Sequence, residues 1–177
     1  MRYRPSDIAS IHVYTADTLR EVSVIKLSGV AGVADMVACH DDRQLYMIDL
    51  SGAIWRVSAV NPTDYEKWIT DESLSCEYFR SLSLDGLPST QLPPPLFTTL
   101  SLRSRRLLVT SLMSHSLRQY STVNKQLLRV IELPDSVETP THAVETPRGT
   151  FVVSHGIMLE SSGVSELFSF MIYLLVY

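Results

Sequence analysis

Short apolar runs separated by polar turns dominate the chain, and helical i, i+3, i+4, i+7 stripes are weak throughout. Two runs bracket a polar turn: HVY (His12–Tyr14) and VSVIKL (Val22–Leu27) lie on either side of Thr15–Arg20. The arrangement returns as RQY (Arg118–Tyr120) and LRVIEL (Leu128–Leu133) around Ser121–Lys125. Short apolar pieces at Asp35–Cys39, Leu100–Leu102 and Ala143–Val144 each precede a β-rich run, at Leu45–Ile48, Leu107–Val109 and Phe151–Val153. Further strands are predicted at Ile54–Val57 and Leu117–Tyr120. The pattern predicts an all-β protein.

The runs repeat at fixed spacing. Tyr14–Leu27 (YTADTLREVSVIKL) matches Tyr120–Leu133 (YSTVNKQLLRVIEL) at an ungapped offset of 106, and Leu45 matches Phe151 at the same offset. Leu107 lies 62 residues after Leu45 and 44 before Phe151, so a third copy sits between them. Four short strands per unit of 44 residues is the plan of a propeller blade. The middle unit is 18 residues longer, and the surplus falls in the Ser/Pro-rich segment 70–96. Its prolines 93–95 cannot donate to a central ladder, so this segment is predicted as a long inserted loop. The expected architecture is one domain, a partial β-propeller of about three four-stranded blades, with units near 11–58, 58–121 and 120–167. The apolar tail 168–177 is read as a strand, being far shorter than the roughly 20 residues a membrane-spanning helix needs.

The first unit, DMVACHDDRQLYMIDLSGAIWRV, resembles an NHL-type propeller blade through Val37, Asp41–Asp42, Leu45–Tyr46, Asp49, Gly52, Ile54 and Val57. The second and third units keep the strands but have Ser111 and His155 at or near the position of Asp49. The resemblance covers roughly residues 11–167 and implies a platform for protein or RNA. Neither the zinc-ligand clusters nor the coiled-coil heptads of the module often joined to such propellers occur in this sequence. Because a propeller usually closes with four to eight blades, the chain is expected to be a truncated copy of a larger propeller or one completed by another chain.

Composition narrows the chemistry only a little. The 45 % hydrophobic and 19 % charged content is that of a folded chain, and a net charge of −4 selects no partner class. The one charge bias is a stretch between Asp85 and Glu132 that holds Arg103, Arg105, Arg106, Arg118, Lys125 and Arg129 but no acid. Cys39 and Cys76 match no zinc or redox spacing, and MRYRPSDIAS lacks the apolar core of a secretory signal. These features predict free thiols and a cytoplasmic location.

Candidate sites are sparse. His40–Asp41–Asp42 offers oxygen ligands without calcium-loop spacing and is read as a solvated turn. His142, Glu145 and His155 would make a metal site only if the fold brought them together. No GxSxG elbow, P-loop or dinucleotide fingerprint is present, and Asp49, Ser111 and Ser154 do not reproduce a channel-facing carboxylate set. The expectation is therefore no enzyme, no cofactor and no metal. Trp55, alternating with Ile54 and Arg56, is assigned to packing between blades.

The function expected is a non-enzymatic protein-interaction scaffold whose contacts are the Arg-rich turns and the Pro/Ser loop. The alternative is RNA binding, with Arg103, Arg105, Arg106 and Arg118 gripping phosphates and Tyr120 stacking on a base. Self-association through exposed edge strands is a further expected partner mode. No membrane association is expected, and a piece of a larger propeller without stable function is the least favoured reading.

Overall fold

The computed structural model describes residues 9–30, 32–49, 51–70, 98–111, 115–137, 139–161 and 164–175. Among them there is no helix. Strands β1 (Ala9–Tyr14) and β2 (Glu21–Leu27) form an N-terminal pair. Strands β3 (Val33–Cys39), β4 (Gln44–Asp49), β5 (Ala53–Ser58) and β6 (Tyr65–Thr70) form the first full sheet in chain order. The second full sheet holds β7 (Thr98–Arg103), β8 (Arg106–Ser111), β9 (Ser116–Ser121) and β10 (Leu127–Glu132). A third sheet holds β11 (Thr139–Glu145), β12 (Phe151–Ser161) and β13 (Val164–Leu175). Every pairing is antiparallel. The protein is all-β, a partial propeller-like array.

Two elements sharpen the sequence reading. The apolar tail is a strand as far as Leu175, and its partner is β12 of its own sheet, paired from Phe151↔Leu175 to Ser161↔Val164 with one register shift between Gly156 and Ile157. Strand β6 was not singled out by the apolar pattern, because YEKWIT mixes charges with aromatics. It is held by Trp68, whose ring lies 4.9 Å from that of Tyr46 at 61°. The inserted loop predicted within 70–96 lies outside the described residues beyond Thr70.

The near-continuous apolar runs of the second strands have a physical cause. Successive side chains point to opposite faces, so a strand between two neighbouring sheets must be apolar on both. Tyr46 and Ile48 pack with Ile54, Trp68, Leu100, Leu107, Val109 and Tyr120, between the first and second full sheets. Met47, one residue over, turns the other way and packs with Ile11, Leu27, Trp55 and Val57 against the N-terminal pair. The second sheet repeats the division: Leu107 and Val109 face back, while Leu108 joins Leu117, Ile131, Leu133, Phe151 and Val153 facing forward. Each such Leu or Ile stabilises the fold by roughly 1.5–3 kcal/mol when fully buried. Trp55 packs between sheets, as its alternation predicts.

The repeat extends to individual backbone bonds. Thr15 N donates to Arg20 O (2.9 Å) and Leu19 N to Thr15 O (3.0 Å). In the later turn Ser121 N donates to Gln126 O (2.8 Å) and Lys125 N to Ser121 O (3.1 Å), each bond 106 residues from its counterpart. Leu19 (φ 53°) and Lys125 (φ 64°) both take the left-handed conformation that this turn demands. A left-handed non-glycine residue costs about 1–2 kcal/mol, of which the extra chain entropy of glycine returns only part. Leu19→Gly is therefore expected to raise stability by about 0.5–1 kcal/mol, read as a higher urea midpoint. A lower midpoint would show that Leu19 packs on something its exposure hides.

Candidate functional site

The first strands of the three sheets, β3, β7 and β11, run side by side in one direction, stitched by polar contacts. The carboxylate of Asp35 on β3 accepts from Leu100 N on β7 (2.8 Å), and Thr99 Oγ1 donates to Thr141 O on β11 (2.9 Å). Arg103 Nη1 donates to Glu145 O (3.3 Å), four residues further along each strand. The parallel alignment brings the turns that follow these strands to one end of the array. There Ala59 N donates to Arg43 O and Thr122 N to Arg105 O, both at 2.9 Å. The turns between first and second strands and those between third and fourth are thus joined within each of the two four-stranded sheets.

This arrangement engages most of the arginines predicted as contacts. Arg105 pairs with Asp42 across the seam between the full sheets (3.2 Å). Arg106 pairs with Glu145 (3.1 Å), and Arg103 is held on the Glu145 carbonyl. Arg118 sits half-buried in the middle of β9, between Val109 and Val130, with contacts of its own. Tyr120 corrects the sequence expectation: it is 3 % exposed inside the core, so its ring is not offered to a base.

His142, Glu145 and His155 do not converge on a metal, and no group of three His, Cys, Asp or Glu among the described residues is placed to hold one. The Glu145 side chain is 3 % exposed and serves the seam between the second and third sheets. It accepts from Gln119 Nε2 (2.7 Å) and pairs with Arg106 and, more distantly, Arg129 (3.7 Å). Arg129 Nε also donates to Gln119 Oε1 (2.9 Å), and its guanidinium lies over the Phe151 ring (4.8 Å). Removing one member of a buried charge pair costs about 3–5 kcal/mol, but these arginines reach water and can rehydrate. Glu145→Ala is expected to destabilise by about 2 kcal/mol in denaturant melts, more than Asp42→Ala, whose pair is a partly exposed one worth up to ~1 kcal/mol.

His40–Asp41–Asp42 forms a turn, as expected, but Asp42 reaches beyond it. Its carboxylate takes Arg105, the Thr122 hydroxyl (3.4 Å) and the Cys39 thiol (3.6 Å). Burial pushes the Cys39 thiol above its ordinary 9.0 and the Tyr46 phenol above its ordinary 10.0. The unfolded chain loses these protons first, so their contribution is complete below pH 9 and is lost as pH rises through the raised folded-state values. The urea midpoint should therefore begin to fall above pH 9, and Cys39→Ala should flatten the onset of that fall.

Other side chains are also exposed at the joined end. Val60 (69 % exposed) and Val123 (68 %) occupy the same place in the turns after β5 and β9. Each backbone N–H is held by the hydroxyl of the serine two residues earlier, Ser58 (3.3 Å) and Ser121 (3.2 Å). Leu19 (76 %) projects from the corresponding turn of the N-terminal pair. Arg43, Arg105 and Arg148 are exposed in the turns after β3, β7 and β11. The sequence reading missed Val60 and Val123. Their shared spacing from Ser58 and Ser121 was visible, but exposure was not.

No protein-family model matches this sequence, and no curated protein matches it. Solved structures do. A luciferin-regenerating enzyme is 14 % identical with a TM-score of 0.53, over 88 % of this chain and 48 % of that one. A 6-phosphogluconolactonase-like protein from Bacteroides uniformis is 12 % identical with a TM-score of 0.51, over 91 % of this chain and 50 % of that one. Both are propeller-type all-β folds, and the chain spans about half the length of each. At these identities the likeness is one of fold. It corrects one expectation: proteins named as enzymes share this architecture, so the exclusion of enzymatic activity does not stand.

Proposed function

We propose that this chain is a propeller-type platform for a protein partner, with the joined-turn end of the sheets as its contact face. The observation that carries this reading is the recurrence of an exposed aliphatic side chain, Leu19, Val60 and Val123, in one turn of three successive sheets. Exposed aliphatics grouped beyond the scattered background mark interaction surfaces. An NHL-type identity for the first full sheet is the finer form of the proposal. It is supported by Asp49, whose carboxylate takes Ser51 N (2.8 Å), Ala53 N (3.0 Å) and Trp55 Nε1 (2.8 Å), holding the Gly52 turn to the core. RNA binding is disfavoured because Arg103 and Arg106 are engaged by Glu145 and Tyr120 is buried.

The test compares the immobilised chain with its Leu19→Asp/Val60→Asp/Val123→Asp variant in lysate of the source cells. A protein held by the wild type should be reduced about tenfold by the variant at unchanged melting temperature, with RNase making no difference. Capture that disappears with RNase would favour the RNA reading. Capture indifferent to the three substitutions would remove this face from consideration.

A further inference from the structure

The proposed contact face has a repeating construction from which the chemistry of its partner follows. In the first and second full sheets the carbonyl of a left-handed arginine, Arg43 (φ 50°) or Arg105 (φ 60°), accepts from the residue just before an exposed valine. Each valine N–H is then tied to a serine hydroxyl. Arginine and valine are thereby fixed as a unit, and the unit occurs twice on adjacent sheets. Gly149 (φ 79°) takes the equivalent left-handed place in the third sheet, with Arg148 beside it.

Charge along this end is graded. The turns of the first full sheet carry Asp41, Asp42 and Asp64 against Arg43. Those of the second carry Arg105 and Lys125 with no acid, and that of the third carries Arg148 with none. Asp42 and Glu66 each take one of these cations, at 3.2 and 3.1 Å, and both pairs remain about half exposed on the basic partner. A guanidinium has five N–H donors, so one carboxylate leaves Arg105 with donors for another.

Resting on the platform reading, we propose that the face takes an acidic protein segment carrying aliphatic residues. The aliphatic side chains meet Val60 and Val123, and the carboxylates meet Arg105, Lys125 and Arg148. Charge complementarity selects this occupant over a basic segment, which would face three cations in the second and third sheets. It also favours a protein over single-stranded RNA, since Val60 and Val123 stand exposed beside the cations and Tyr120 is buried in the core.

A random-peptide display library panned against the full chain, with subtraction on the Val60→Asp/Val123→Asp variant, tests this. Enriched peptides should combine Asp or Glu with Leu, Ile or Val. A synthesised representative should lose about fivefold in affinity with Arg105→Glu, and again with Arg148→Glu, and weaken as salt is raised. Enrichment of basic or uncharged sequences, equal enrichment on the variant, or no enrichment would overturn the proposal. So would displacement of the peptide by polyuridylate. Because Arg148 has no role in the seams described above, its variant separates lost contact from lost folding. A lysate partner that depends on the valines, alongside a selection without acidic sequences, would retain the platform and discard this partner chemistry.

Discussion

Strands β4 and β8 bury side chains on both faces, and this two-sided burial is the constraint from which the rest follows. A strand that is apolar on both faces cannot end a stack of sheets, so each sheet requires a neighbour before and behind. Tyr46 and Met47 show the demand in consecutive residues, one facing the second full sheet and the other the N-terminal pair. Stacking sheets this way aligns the first strands, and aligned first strands gather their turns at one end.

Polar stitches refine what burial establishes. Asp35, Asp42 and Glu145 each reach from one sheet to a donor in another. Apolar contact has no direction and tolerates a small slide between sheets, whereas a carboxylate set against a backbone N–H or a guanidinium does not. The stitches absorb the strongest charges at the seams. What is left exposed at the turn end includes aliphatic side chains beside arginines.

The strands were legible because the β period is local: a core run, a polar turn and a second run can be recognised without knowing what lies across from them. The repeat was legible for the same reason, and it proved true to the level of Thr15 and Ser121 making the same backbone bonds. Strand β6 was not, since Glu66 and Lys67 break the apolar pattern while Trp68 anchors it from below. Which members of the basic stretch are paired was not legible along the chain. Its neutralising acids, Asp42 and Glu145, belong to other sheets. Tyr120 misled, since an aromatic at the end of a strand looks the same whether the core lies above it or not.

The amino-acid order by itself determined the all-β character, the number of strands in each full unit and the polar turns that join them. These depend on side-chain period and backbone preference, both properties of neighbours in sequence. Only the tertiary structure decided which arginines are paired, that Glu145 belongs to a seam, and that Val60 and Val123 stand in solvent. Those outcomes depend on distance in space. In a stacked array such distances are set by how two separately written strands pack, which no single segment contains.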